Sequence, residues 1–275
     1  MRLMMDVGAG GLLLLGCGKM GGAMLRGWLA NGLTPDQVTV LDPHPAEWLT
    51  DLQIQGLRLN TQPDTPPAIA VIATKPQIMA DAIPGVAAFG NGPTMFISVA
   101  AGTLISTFES ILGPETPVVR AMPNTPAAIG AGITALVANP HVETDQLHLA
   151  EQLLGAVGEV VLLDHEEQMH AVTALSGSGP AYVFAMTEAL TQAGIGLGLS
   201  QEVSSRLAVA MVAGSGKLMS QTGDEPALLR EQVTSPKGTT AAGLDVFMRQ
   251  GNGILELVEQ TAKAASDRSR KLAAG

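Results

Sequence analysis

The strongest constraint on this chain is a run of four leucines, Leu12 to Leu15, that stops at Gly16-Cys17-Gly18-Lys19-Met20-Gly21 and gives way to helical spacing at Met20, Met24, Leu25 and Trp28. A short apolar run ended by glycines and followed by a 3.6-residue period reads as strand, tight turn and helix. In the spacing Gly16-x-Gly18-x-x-Gly21 the first glycine permits the turn, the second lets a pyrophosphate approach the backbone, and the third lets helix and strand pack closely. The free N–H groups at the helix start then suit an anion. A plain glycine-rich turn can share this spacing, but the strand before it, the helix after it and an acidic residue ending the next strand all agree on a dinucleotide.

Further apolar runs bounded by turn residues follow at Val38 to Leu41, Ala68 to Ala73, Thr94 to Val99, Val118 to Ala121, Ile133 to Ala138 and Val160 to Leu163, with helix-like segments between most of them. Strands alternating with helices predict an α/β fold with a parallel, doubly wound sheet. After Asp164 the pattern changes. Glu166 to Ala193, Gln201 to Gln221, Pro226 to Gln232, Thr239 to Gln250 and Ile254 to Lys271 all read as helices. The expected organisation is a dinucleotide-binding domain over 1–164 and an all-helical domain over 165–275. Small residues at Ala174 to Pro180 and at Gly194, Gly196, Gly198, Gly214 and Gly216 predict close helix packing and a dimer interface.

Composition removes several function classes. The formal net charge is −10 and aromatics make up 3% of the 275 residues, so neither an electrostatic footprint nor a stacking platform for nucleic acid is present. The uncharged stretch from Val86 to Phe108 is cut by Gly90, Asn91, Gly92 and Pro93 into pieces too short for a membrane span. Cys17 is the single cysteine, which excludes internal disulfides and thiolate metal clusters and fits a reducing cytoplasm. The five histidines lack zinc-like spacing, so no metal is expected. Arg2 and the apolar residues leading to Cys17 imitate a lipoprotein signal, but Asp6 interrupts them and cleavage would destroy the glycine turn.

Asp42 ends the strand Val38 to Leu41, where a carboxylate can accept from an adenosine ribose and repel a 2′-phosphate. Pro43 to Glu47 contain no Lys or Arg, so these residues lean toward NADH over NADPH. The competing reading is an Asp that only opens a turn before Pro43. Cys17 reads as a small residue filling the turn, although a thiol at a helix N-terminus can be reactive.

Three later segments carry little ordinary acid–base chemistry: Ala73-Thr74-Lys75-Pro76, Val119 to Pro126, and Glu231 to Thr240. The first two follow strands, where open parallel sheets bind ligands. In the third, Ser235, Gly238, Thr239 and Thr240 at a helix start offer N–H groups and hydroxyls to an anion, or form a simple cap. Taken together, LLGCGKMGGAML, IATKP, ISVAAGT, VVRAMPNTPA, ALSGSGPAY and LREQVTSPKGTT resemble, in order, the pyrroline-5-carboxylate reductase family.

That resemblance implies a Rossmann-type N-terminal domain, a helical C-terminal domain that forms a homodimer, possible assembly into decamers, and NADPH- or NADH-dependent reduction of 1-pyrroline-5-carboxylate to L-proline. It implies a cofactor lying along Leu15, Gly16, Cys17, Gly18, Lys19, Met20 and Gly21, Asp42, Ala73, Thr74, Lys75 and Pro76, and Val99, Ala100 and Ala101. It places the substrate at Gln232, Thr239 and Thr240, set beside the nicotinamide by dimerisation, with Ser235 and Gly238 in the same anion-binding segment and Thr240 as the catalytic hydrogen-bond partner of the ring nitrogen.

Lys237 stands where many family members have Gly, and a solvent-facing side chain is expected. Lys75 and Lys217, the lysines of interest for a hydroxyacid dehydrogenase, read as cleft backbone and solvated helix respectively. Glu166 and Glu167 read as a charged helix start. The alternatives are a reductase of another cyclic imine or of a hydroxyacid, and a dinucleotide-binding protein without catalysis.

Overall fold

Leu12 and Leu14 point to one face of a sheet and Leu13 and Leu15 to the other, and all four are buried. A strand apolar on both faces belongs in the middle of a sheet covered on both sides. The computed structural model, which describes residues 7–8 and 10–273 apart from the side chains of Pro76, Gln77 and Ala80, places it there. β1 (Leu12–Leu15) lies between β2 (Val38–Leu41) and β4 (Ile69–Ile72), parallel to both. With β3 (Arg58–Leu59), β5 (Met95–Ser98), β6 (Val118–Met122), β7 (Gly132–Ala138) and β8 (Gly158–Leu162), the order is β3-β2-β1-β4-β5-β6-β7-β8. The direction of winding reverses between β1 and β4, the position where such sheets open a ligand crevice.

The two faces carry separate cores. Leu12, Leu14, Val38 and Val40 pack with Met24, Leu25 and Trp28 of α1 (Lys19–Ala30) and with Leu153 and Leu154 of α5 (Thr144–Gly155). Trp28 fixes these two helices together by donating Nε1–H to the Leu153 carbonyl at 2.7 Å. Leu13, Leu15, Ile72 and Phe96 pack on the other face with Met79 of α3 (Pro76–Ala82) and Phe108 of α4 (Ile105–Leu112). α2 (Trp48–Ile54) follows β2 and contributes Leu49 to the first core.

Two features depart from the sequence expectation. The sheet is not wholly parallel, because β7 runs antiparallel to β6. Only nine residues separate Met122 from Gly132, too few for a crossover helix, so the chain turns back through a 3₁₀ segment, Thr125–Ile129, closed by Gly130 at φ 71°. The expected helix from Glu166 to Ala193 is also broken. It forms a 3₁₀ turn (Glu166–Gln168), α6 (Met169–Val172), a π-helical turn (Thr173–Gly177) and α7 (Gly179–Gly196). Pro180 explains the break, since its ring excludes the carbonyl four residues earlier and removes one hydrogen bond.

The chain forms two compact units, Met1–Gly177 with Ala265–Gly275, and Ser178–Ala264. The first unit therefore runs beyond Asp164, where the sequence pattern changes. Met169 is buried in the sheet's second core, and buried His170 shares a 2.9 Å Nδ1···Oγ hydrogen bond with buried Ser269. His170 is thus an interior residue. Leu12 to Leu15, within the imitation signal, form an interior strand of the sheet. Residues 1–6 and 9 of the amino-terminal extension lie outside the described residues, while Val7 is buried in the first core.

The second unit consists of α7, α8 (Gln201–Thr222), α9 (Pro226–Gln232), α10 (Thr239–Phe247) and the first turns of α11 (Ile254–Ala273). Gly194 of α7 sits against Ser204 of α8, where a Cβ would come within 2.8 Å of the serine Oγ, so glycine sets how near these helices lie. The core is thin. Phe184, Leu207, Leu257 and Val246 are each about three-fifths exposed (57–61%), a proportion of apolar surface typical of an association face.

Candidate functional site

The three fingerprint glycines do three different jobs. Gly16, at φ 89°, leaves β1 in a conformation that side-chain-bearing residues rarely adopt, and a Cβ there would press on Thr74 and Ala73. Gly18, which caps α1, has no atom within 4 Å of where a Cβ would point. A Cβ on Gly21 would land on the Gly16 carbonyl oxygen. A turn at Gly16 and close packing at Gly21 therefore require glycine, while Gly18 opens onto free space. The N–H groups of the first turn of α1, from Lys19 to Gly21, have no earlier helical carbonyl to bond.

Asp42, at the end of β2, ties this turn in place. Its Oδ2 accepts the Cys17 N–H at 2.6 Å and its Oδ1 the His44 N–H at 2.8 Å. Asp42 N–H in turn donates to Asn60 Oδ1 at 2.9 Å. Asn60 has φ 53°, a left-handed conformation that Asn tolerates better than most residues. Sequence reasoning missed Asn60, and the available signal was an Asn opening the turn Asn60-Thr61-Gln62-Pro63. Asp42 opens the turn before Pro43, as one reading of the sequence expects, and in addition holds the glycine turn through Cys17. Each carboxylate oxygen keeps a second lone pair for another donor.

Cys17 is buried, and its thiol is pushed up from the usual 9.0 to about 11, first by burial and then by the Asp42 carboxylate, against a smaller lowering by Arg26. The raised value keeps the thiol protonated at neutral pH, in keeping with a small residue filling the turn.

A cleft of about 650 Å³ lies beside this loop, lined by Leu15, Leu41, Asp42, Asn60, Thr74 and Asp81 among others. Among the described residues, no Lys or Arg lines it. Ala73 N–H bonds the Leu15 carbonyl at 2.8 Å, and Val99 N–H bonds that of Ile72 at 3.0 Å. The candidates after β1, β2, β4 and β5 thus meet along the C-terminal ends of four neighbouring strands. Thr74 Oγ1 is buried without a hydrogen-bond partner, a group that gains from an incoming donor or acceptor. Val99 is half-buried, Ala100 buried and Ala101 exposed. Lys75 is exposed at the cap of α3, and Lys217 is exposed on α8.

The remaining candidates lie in the helical unit. Gln232 ends α9, and Ser235 to Gly238 form a turn closed by Gly238 N–H onto the Ser235 carbonyl at 3.0 Å. Gly238 caps α10, and a Cβ there would collide with Ser235. Thr239 and Thr240 begin α10, Thr240 being half-buried, and their N–H groups precede the first helical bond, Ala242 N–H to the Gly238 carbonyl at 3.2 Å. Lys237 is exposed with φ 60°, the third residue of a turn that takes a positive φ there.

Comparison with known proteins assigns the chain. A pyrroline-5-carboxylate reductase from Pseudomonas aeruginosa is 40% identical over 265 residues, covering 95% of this chain and 96% of the relative. This chain belongs to the pyrroline-5-carboxylate reductase family. The family's dimerisation-domain model matches residues 166–272, and a model described as NADP oxidoreductase, coenzyme F420-dependent, matches residues 12–102. Among solved structures, a pyrroline-5-carboxylate reductase from Coxiella burnetii superposes with a TM-score of 0.89 at 32% identity over 96% of this chain and 99% of that one. A pyrroline carboxylate reductase from Plasmodium falciparum, solved with NADP bound, gives 0.81 at 26% identity over 98% and 99%.

Proposed function

We propose that this chain reduces 1-pyrroline-5-carboxylate to L-proline with NADH or NADPH. The observation that carries the proposal is full-length similarity to reductases of that name, joined to a fingerprint turn whose glycines leave room where a pyrophosphate needs it. Leu15 to Gly21 and Asp42 would hold the adenosine and pyrophosphate half, and Ala73 to Pro76 and Val99 to Ala101 the nicotinamide half. The open side of Gly18 and the unpartnered Thr74 hydroxyl support that fit. When bound, the reduced nicotinamide supplies a hydride. Asp42 gives the cleft a carboxylate, which would repel a 2′-phosphate, so NADH is favoured over NADPH.

The substrate side needs no strong acid. An imine takes a proton readily and becomes its own electrophile, and addition to its ring carbon leaves an amine, not an alkoxide. The protein's tasks are to orient the ring and hold its carboxylate. The N–H groups at the start of α10, with Ser235, Gly238 and Thr239, suit the carboxylate, and Gln232 flanks it. Thr240 hydrogen-bonds the ring nitrogen. The exposed apolar surface of the helical unit supports a homodimer, which would bring this segment to a nicotinamide, and a decamer is the proposed higher assembly. No helix among the described residues is long and apolar enough to cross a membrane, and the cytoplasm is the proposed location.

Chromatographic detection of proline formed from 1-pyrroline-5-carboxylate and NADH tests the proposal. Substrate consumed without proline, or turnover of 2-hydroxy acids instead, would count against it.

A further inference from the structure

Glu166 reads in the sequence as one of two charges at a helix start, but its Oε1 accepts two hydrogen bonds from elsewhere in the first unit. One comes from Arg120 Nη1 of β6 at 2.7 Å and the other from the backbone N–H of Ile105, the first residue of α4, at 2.9 Å. The Arg120 side chain is only 3% exposed, so its charge is neutralised by this carboxylate in the interior. A single carboxylate oxygen thus joins the middle of β6 to the start of the helix that follows Val99 to Leu104.

That loop is held at three points. Its first residue is fixed by the Val99 N–H bond to Ile72. Its middle passes Gly102, at φ 77°, where a Cβ would lie 3.4 Å from Leu272 Cβ in the last turn of α11. Its end is Ile105, held by Glu166. The turn bearing Leu272 is itself anchored by the Ser269 bond to His170 and by Arg270 Nε–H donating to Glu167 at 3.1 Å. Two of the three holds therefore come from residues 166–170 and 269–272.

We infer that Glu166 is a positioning residue for the Val99–Thr103 loop, acting on dinucleotide affinity through the Ile105 N–H, with Leu272 as the second brace. This rests on the proposed placing of the nicotinamide half along Val99 to Ala101. Loss of the bond frees the start of α4 and with it the loop, while the imine-binding segment in the helical unit is untouched.

Two double variants of the full-length chain separate the role of this bond from a general loss of stability. Arg120→Met with Glu166→Gln removes the charge pair but keeps an oxygen for Ile105 N–H, whereas Arg120→Met with Glu166→Leu removes both. NADH affinity read by nicotinamide fluorescence, without imine, is expected to weaken about tenfold more in the Leu double than in the Gln double, the effect of one lost hydrogen bond. KM for the imine at saturating cofactor is expected to stay within about twofold. Equal NADH affinity in the two doubles, or an equal rise in imine KM, overturns the inference. Should the Leu double fail to fold, Ile105→Pro decides, since it removes the N–H donor itself at the first position of α4, which proline tolerates after the extended Leu104, and leaves Arg120 and Glu166 in place: a weaker NADH affinity supports the inference and an unchanged one overturns it. A wild-type chain that binds NADH but leaves the imine unreduced would defeat the proposed function alone.

Discussion

The backbone N–H of Cys17 donates to Asp42 Oδ2 at 2.6 Å, joining the turn after β1 to the end of β2. The residue proposed to choose the cofactor therefore also holds the glycine turn in shape. Replacing Asp42 by Asn keeps an acceptor and removes the charge. The ratio of kcat/KM for NADPH to that for NADH is expected to rise about tenfold or more, the scale of one charge-assisted contact. Steady-state kinetics with both cofactors reads it, and an unchanged ratio would leave Asp42 with its turn-forming role alone.

Gly18 and Gly21 differ in what a methyl group would meet, and the two alanine variants should differ in kind. Gly18→Ala enters open space and is expected to fold with little change in melting temperature while NADH affinity falls. Gly21→Ala meets the Gly16 carbonyl and is expected to lose about 1–3 kcal/mol of stability, typical of overpacking. Thermal melts beside NADH titrations distinguish these patterns.

The raised pKa of Cys17 predicts a pH dependence of stability. Between the usual value of 9.0 and about 11 the folded chain keeps a proton that the unfolded chain releases. Stability from this group is therefore complete below pH 9 and falls as pH rises toward 11, by about 2–3 kcal/mol in total. Cys17→Ala should flatten that decline when urea unfolding is followed across the range. Native Cys17 should also react slowly with a thiol reagent at neutral pH and quickly once unfolded.

Lys237, at φ 60°, separates a conformational role from a contact with substrate. Lys237→Gly relieves a left-handed strain of about 1–2 kcal/mol, partly offset by the freedom Gly adds to the unfolded chain. Its melting temperature should be equal or higher and its KM for the imine unchanged. Lys237→Val should destabilise the turn. A large rise in imine KM for the Gly variant would instead place the ammonium on the substrate carboxylate.

The elements easiest to read in the sequence were those whose signal is local. β2 and α9 fall where the apolar pattern put them, and Gly16 and Gly21 make the turn and the close packing that their spacing implies. The features that were harder to read depend on contacts far along the chain. The reversal at β7 follows from a connection too short for a crossover, and the break near Gly177 from Pro180 acting four residues back. Asn60, His170 and Glu166 carry no motif, and their roles rest on partners 18, 99 and 46 residues away. β3, with two residues, is too short to show a period at all.

The central claim is that this chain is an imine reductase whose substrate segment begins α10. Following loss of nicotinamide absorbance with 1-pyrroline-5-carboxylate, for the wild type and for Thr240→Val, tests it most directly. Rapid imine-dependent oxidation by the wild type and at least about a tenfold fall in kcat/KM for the variant, the effect of one lost polar contact, is the predicted result. Wild-type oxidation no faster than without imine, with NADH still bound, would contradict the account.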